Sequence, residues 1–174
     1  MKKFLFLSVF FIAGFQLVKA QETKFGLTAG YLNAESSYSF EGSKSSETAS
    51  GFFVGALADF TINESFHITP GVNYGKAEEV SFLYIPVMAQ YYIAESSFFL
   101  QAGPQVSILL DNNGNDSANK FGLDLGLGVG YHITENFFID AKYSFELTNR
   151  LGELNRDGED NRLNGLFLGV GYKF

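Results

Sequence analysis

The sequence predicts an all-β protein, an eight-stranded antiparallel up-and-down transmembrane β-barrel. Three observations point there. Apolar side chains recur with period two through eight segments after residue 20; the opposite face of each segment carries Gly and polar groups; and the chain ends on such a segment with an aromatic residue. Successive side chains of a strand point to opposite faces, so a strand crossing lipid must be apolar at every second position. Gly 19, Phe 20 and Tyr 9 against three Pro and two Met is a composition that favours strands.

The first element is not a strand. Met1-Lys2-Lys3, the apolar run 4–15 and Val18-Lys19-Ala20 before Gln21 supply the charged, apolar and small-residue regions of a cleaved secretory signal. Gln16 and Lys19 cut the run short of the roughly 20 apolar residues that a permanent helical anchor needs. The expected organisation is therefore a signal peptide, 1–20, and one barrel domain, 21–174. Losing Lys2, Lys3 and Lys19 takes the formal charge from −7 to −10, an acidic balance that disfavours nucleic acid as a partner. With no Cys, a lipoprotein signal, a disulfide framework and a thiolate metal site are all excluded.

The strands are expected at 24–32, 51–60, 66–75, 80–92, 98–109, 121–132, 137–147 and 165–174. One face runs Phe25, Leu27, Ala29, Tyr31 in the first, Leu123, Leu125, Leu127, Val129, Tyr131 in the sixth and Leu166, Leu168, Val170, Tyr172, Phe174 in the last, without a charge or an amide. The other face carries Thr28, Asp59, His67, Asn73, Gln90, Gln101, Gln105, Asp124, Asp140, Lys142, Glu146 and Lys173 among its glycines. A soluble lipocalin-like cup would reverse this pattern, because so much exposed apolar surface aggregates in water. Tyr31, Phe60, Phe66, Tyr91, Phe98, Tyr131, Phe137 and Tyr172 fall at strand ends on the apolar face, where large rings suit the headgroup boundary.

Three related segments, Ile62-Asn63-Glu64-Ser65-Phe66, Ile93-Ala94-Glu95-Ser96-Ser97-Phe98 and Ile133-Thr134-Glu135-Asn136-Phe137, read as tight turns. The connections at the other end are long, 33–50, 111–120 and 148–164, apart from a short link at 76–79. In such barrels short turns face the periplasm and long loops face outward.

Eight strands enclose a lumen just wide enough for side chains to fill it. Charges there are expensive unless paired. Asp59, Gln90, Gln101, Gln105, Asp124, Asp140, Lys142 and Glu146 are therefore expected to form a hydrogen-bonded lumenal network, with Lys142 paired to Asp124, Asp140 or Glu146. His67 and His132 lie beside turns on the inner face without the companion ligands of a metal site. The apolar face has no Ser or His, so the Ser, His and carboxylate grouping of a lipid A-modifying enzyme is missing there. Asp111-Asn112-Asn113-Gly114-Asn115-Asp116 spaces its oxygens like a calcium loop, but Asp116 stands where Gly is required and no Glu follows, so a polar turn is the better account. The stretch 150–162 mixes four carboxylates with Arg150, Arg156 and Arg162, as a solvated surface or a partner site would. No catalytic residue, metal or cofactor is expected.

Phe82-Leu83-Tyr84-Ile85-Pro86-Val87, Ala102-Gly103-Pro104-Gln105, Leu125-Gly126-Leu127-Gly128-Val129-Gly130-Tyr131 and Asp140-Ala141-Lys142-Tyr143-Ser144 resemble strands of the Bacteroidota outer-membrane β-barrel domain family often called PorT-like. The resemblance spans the mature chain and extends in architecture to the small OmpX/OmpA-type barrels. It implies a role in envelope structure, adhesion or integrity rather than catalysis. The last strand resembles the signal read by the barrel-assembly machinery, with Gly169, Tyr172 and Phe174 at its glycine and aromatic positions and Phe167 where a polar residue is usual. The expected partners are outer-membrane lipid and lipopolysaccharide, that machinery, and an extracellular ligand at the loops; a narrow porin-like pore is the alternative function. Deleting Phe174 is expected to remove most of the folded protein from the outer membrane, read as loss of the compact band that shifts on boiling in a detergent gel.

Overall fold

The computed structural model describes residues 23–40, 43–94, 96–111, 119–150 and 160–174. The expected signal peptide, 1–20, lies outside the described residues. Eight strands follow one another around a closed antiparallel barrel: β1 (Thr23–Phe40), β2 (Ser43–Asn63), β3 (Phe66–Ala77), β4 (Val80–Tyr92), β5 (Phe98–Leu109), β6 (Phe121–His132), β7 (Phe137–Glu146) and β8 (Asp160–Lys173). Closure comes from β1 pairing with β8, from Gly26↔Lys173 to Ser39↔Asp160. The Phe174 amide extends that seam by donating to the Phe25 carbonyl at 2.8 Å.

The pleat divides the side chains as the alternation requires. Phe25, Val129, Phe121 and Phe174 face outward and are 58, 52, 66 and 65% exposed, which only an apolar solvent makes tolerable. On β6 the outward positions from Phe121 to Tyr131 span ten residues. At about 3.3 Å per residue and a tilt of about 40°, that is roughly 25 Å, the height of an outer-membrane apolar band.

The turns close one end by local bonds. Asn63 Oδ1 accepts from the Ser65 amide at 3.0 Å, Ser96 Oγ from the Phe98 amide at 3.3 Å and Thr134 Oγ1 from the Phe137 amide at 3.0 Å, so each polar turn residue satisfies a backbone donor that the ladder leaves free. At the other end β3 and β4 join through Glu78 and Glu79, and Glu78 has φ 52°, the positive value that tight hairpin turns demand.

Two expectations are corrected here. The segment 33–50 is not a loop: β1 and β2 stay in register to Phe40↔Ser43, and β8 accompanies β1 to Ser39. These strand ends lie beyond the apolar band, so no alternation betrays them, and backbone pairing alone extends them. β8 accordingly starts at Asp160 rather than 165, and β2 at Ser43 rather than 51. The inner face is also not merely polar and glycine-rich. Leu32, Phe53, Phe82, Tyr84 and Phe167 form a buried cluster, with Phe167 edge-on to Phe53 at 5.4 Å and to Tyr84 at 5.0 Å. Phe99 and Phe138 are buried nearer the turn end.

The inward phenylalanines need glycine opposite them. Phe99 pairs with Gly130 and Phe138 with Gly171, and a Cβ at either glycine would collide with the facing ring. Gly130→Ala is expected to cost about 1–3 kcal/mol through overpacking, read as a lower unfolding midpoint in detergent micelles, with Phe99→Leu in the same chain recovering part of the loss.

Candidate functional site

The lumen holds two polar networks, one toward each end. The turn-end network starts at Asp59 on β2. Its Oδ2 accepts from Lys173 Nζ at 2.6 Å, and its Oδ1 lies 2.7 Å from His67 Nδ1. Lys173 also donates to the Tyr92 hydroxyl at 3.0 Å, and Tyr92 donates to Gln90 Oε1 at 3.3 Å. Gln90 donates to Gln101 at 3.4 Å, and Gln101 to Asp140 Oδ2 at 2.9 Å. His132 Nε2 sits 3.2 Å from the Tyr92 hydroxyl, so each histidine is engaged by the network. The expected lumenal network included Asp59 but not Lys173, which reaches it from the final strand because barrel closure brings residues 59 and 173 together across β1.

The loop-end network centres on Asp124, which is buried on β6. It accepts from Gln105 Nε2, Ser144 Oγ and Ser107 Oγ, each at 3.1 Å. Lys142 Nζ donates to Gln105 Oε1 at 3.1 Å and lies 4.5 Å above the Phe167 ring. The expected carboxylate partner is corrected in part: Asp140 and Asp124 act on Lys142 by charge at longer range, but no carboxylate hydrogen-bonds it, and an amide oxygen and a ring face make the direct contacts.

Glu146 is instead taken by Arg150. The guanidinium Nε lies 2.8 Å from Glu146 Oε1, Nη2 donates to Ser107 Oγ at 2.7 Å, and both charged side chains are buried. The Leu163 amide and the Thr148 hydroxyl also donate to Glu146. Arg150 was expected in a loop that forms a solvated surface or a partner site. The structure folds it back into the barrel mouth, where it bonds the Lys120 carbonyl and its own backbone joins Asn119 and Asn161. Nothing local in the sequence separates it from Arg156 and Arg162; the signal is Glu146 four residues earlier on a strand, useful only once Glu146 is known to point inward. Residues 151–159 lie outside the described set.

With these groups in place the middle of the lumen is nearly closed, while toward the turns Asp59, His67, Tyr92, His132 and Lys173 line an open mouth. The cavity at the lumen's centre measures about 50 Å³, between Phe53, Phe138, Phe167, Met88 and a few polar groups. Among the described residues no cluster of three or more His, Asp or Glu is placed to hold a metal. Of the calcium-like segment 111–116, residues 112–116 lie outside the described set, and the Asp111 carboxylate accepts from the Ser81 amide.

The sequence matches the outer membrane protein beta-barrel domain family over residues 4–174. The chain belongs to that family. The outer membrane protein beta-barrel domain accounts for the closed eight-stranded sheet, the apolar exterior and the outer-membrane location. No curated protein matches the chain. Among solved structures, Neisserial surface protein A is similar at 23% identity and a TM-score of 0.55, over 88% of this chain and 99% of that one. Ail, the attachment invasion locus protein of Yersinia pestis, is similar at 21% identity and a TM-score of 0.50, over the same shares. Both likenesses concern the fold.

Beyond the barrel, β8, β1 and β2 continue as a three-stranded sheet. Its β8 side is covered: Arg150 N donates to the Asn161 carbonyl at 3.0 Å, and the Asn161 amide donates to Asn149 Oδ1 at 3.1 Å. Its β2 side is open. β2 leaves β3 at Gly51↔Ala77, the Ser50 carbonyl accepts from the Glu78 amide, and no described strand pairs with that side of 43–49.

Removing one member of the buried Glu146–Arg150 pair strands the other charge. Arg150→Met is expected to cost about 3–5 kcal/mol, while Glu146→Leu with Arg150→Met recovers most of it; unfolding midpoints of the three variants in micelles check this.

Proposed function

We propose that this protein acts at the cell surface as a docking element of the outer membrane, through the open edge of the sheet that β8, β1 and β2 raise beyond the barrel. The observation that carries the reading is that edge. A strand's N–H and C=O groups point alternately to its two sides. Because the Ser50 carbonyl bonds toward β3, residues 44, 46 and 48 present their backbone groups to the same open side. Ser45, Ser46, Glu47 and Thr48 are exposed. An unpaired edge of this kind accepts an extended polypeptide by strand addition, in which main-chain bonds supply the affinity.

In this reading the turns face the periplasm and the sheet faces outward, with lipopolysaccharide around its base. The chain is a PorT-like barrel of Bacteroidota on the strength of its strand motifs, exported by a signal at 1–20, and Gly169, Tyr172 and Phe174 are its contacts with the barrel-assembly machinery. The nearly closed lumen supports docking over conduction: aromatic rings and two bonded networks occupy the space that a porin-like pore would need.

Two measurements test the proposal. Planar bilayers containing the protein are expected to stay free of single-channel steps. Cells displaying it are expected to be retained on an immobilised panel of extracellular-matrix and serum proteins, and Ser46→Pro with Thr48→Pro, which deletes edge donors but spares the bonds to β1, is expected to abolish retention. Equal retention of the double-proline cells, with the barrel still heat-modifiable, refutes the edge as the docking site.

A further inference from the structure

The apolar band is not of one height around the barrel. On β5 the outward apolar side chains run from Phe98 to Leu110, twelve residues along the chain, or roughly 30 Å of membrane at about 3.3 Å per residue and a tilt of about 40°. On β3 and β8 they run from Phe66 to Tyr74 and from Leu166 to Phe174, eight residues or roughly 20 Å. On β1, opposite β5 in the ring, they run only from Phe25 to Tyr31, six residues or roughly 15 Å. The lower ends are nearly level, because exposed Ile62, Ile93 and Ile133 hold the same place in the three turns. The difference lies at the loop end. The hydrogen-bonded rows climb ten residues in one circuit, from Thr23 through Phe60, Ala102 and Leu166 to Asn33. Allowing for that climb, Ser50, Lys76 and Asn164 on β2, β3 and β8 stand level with Ile108, Leu123 and Leu147 beside β5, β6 and β7. Leu110, Phe121 and Leu147 top that second wall and are 49, 66 and 58% exposed. Tyrosines mark the same step. Tyr31 bonds Ser50 Oγ at 2.8 Å, Tyr74 donates to Ser81 Oγ at 3.2 Å, and the Tyr143 hydroxyl is bonded to Glu35 across β8, the place of such rings being the headgroup boundary. At that height β5 and β6 carry Val106 and Leu125.

We infer that the barrel holds the membrane at unequal thickness, the loop-side leaflet standing roughly 8 Å taller along β5, β6 and β7 than along β8, β1, β2 and β3. Acyl chains cover the ledge of Leu110, Phe121 and Leu147, because that ledge continues the lipid face of the same strands. Leu123 and Phe145 lie directly below it, and the alternation with inward Gly122, Asp124 and Glu146 runs on without a break. A tilted barrel in a flat membrane does not serve instead. Tilting far enough to bury the ledge pushes Phe98 and Ile133 out of the lipid at the turn end of the same wall. A bilayer that thickens on one side and thins on the other meets both ends, at a modest cost for each ångström of mismatch. The step also bears on the sheet beyond the barrel. β8, β1 and β2 rise from the low side, so headgroups drawn down there leave more of that sheet in water. The inference concerns the lipid and stands whether or not the open edge docks a partner.

The chain has no Cys, so a single introduced thiol carries a nitroxide at a known place. Phe121→Cys and Leu147→Cys report on the tall side, Ser50→Cys and Lys76→Cys on the low side at nearly the same height, and Ile133→Cys and Ile62→Cys on the two turn ends. Each labelled protein, checked to be heat-modifiable, is placed in vesicles of phosphatidylethanolamine and phosphatidylglycerol. Collisions with dissolved oxygen, which concentrates in hydrocarbon, are then compared with collisions with a water-soluble nickel chelate. The oxygen-to-nickel ratio is expected to be several-fold higher at Phe121 and Leu147 than at Ser50 and Lys76, and equal at Ile133 and Ile62. Equal ratios at the four loop-end positions mean a flat leaflet and overturn the inference. A lower ratio at Ile133 than at Ile62 means that the barrel tilts, which overturns it too. So does dipolar broadening at Phe121 or Leu147 that dilution with unlabelled protein removes, because a second copy then covers the ledge.

Discussion

Everything in this molecule follows from the requirement that no backbone N–H or C=O be left bare in lipid. Each such group costs several kcal/mol in hydrocarbon. A sheet meets the requirement only by closing, and here the seam is the long β1–β8 ladder capped by the Phe174 amide. Closure fixes the strand number and the bore. Because the pleat is strict, closure also sends half of every strand's side chains inward. The lumen is therefore composed by the same residues that alternate with the lipid-facing ones, and it has to be filled and bonded with whatever they are.

The chain fills it by dividing labour around and along the bore. The apolar cluster of Leu32, Phe53, Phe82, Tyr84 and Phe167 comes from β1, β2, β4 and β8, while Gln105, Ser107, Asp124, Ser144 and Glu146 come from β5, β6 and β7. The two halves meet where Lys142 covers the Phe167 ring. Such a contact helps an ammonium group sit deep in the barrel with one conventional bond, the ring face adding its negative potential to that of Asp140 and Asp124. Toward the turns the same device recurs, with Lys173 5.2 Å from the Phe138 ring centre while it binds Asp59. The buried charges are thus tolerated through rings as well as through carboxylates.

This division explains what could be read from the sequence. The lipid face was legible because the solvent enforces it: a single charge among Leu123, Leu125, Leu127 and Val129 would be costly, so their spacing alone reveals the strand. The inward phenylalanines were legible only in their facing. In Phe52-Phe53, Phe98-Phe99 and Phe137-Phe138 the period of two puts the first ring toward lipid and the second toward the lumen. What it does not show is how the bore holds the second ring: glycine stands across the ladder, Gly30 beside Phe53, Gly130 beside Phe99 and Gly171 beside Phe138, and that pairing exists only once the register is known. Lys142 was misassigned for a related reason. Three carboxylates were candidates by facing, but the partner depends on the stagger between strands, which put Gln105 within reach instead. Arg150 required knowledge that a chain leaving the barrel turns back into it.

The strand ends beyond the membrane obey a different rule, and that is why they carry the functional reading. Inside the apolar band an open edge is forbidden by the solvent; above it, water can satisfy the groups that no strand pairs. β2 can therefore run past the end of β3 at no great cost, with Ser and Thr side chains that keep it soluble. An open edge normally invites aggregation. Here β2 is held from behind by β1, which is held in turn by β8 and the Arg150 clasp, and the whole sheet rises from a barrel that cannot slide in register without turning apolar faces into the lumen. The sealed barrel below gives the open edge above a fixed position and direction, so that the proposed docking would not begin with the cost of ordering a loop.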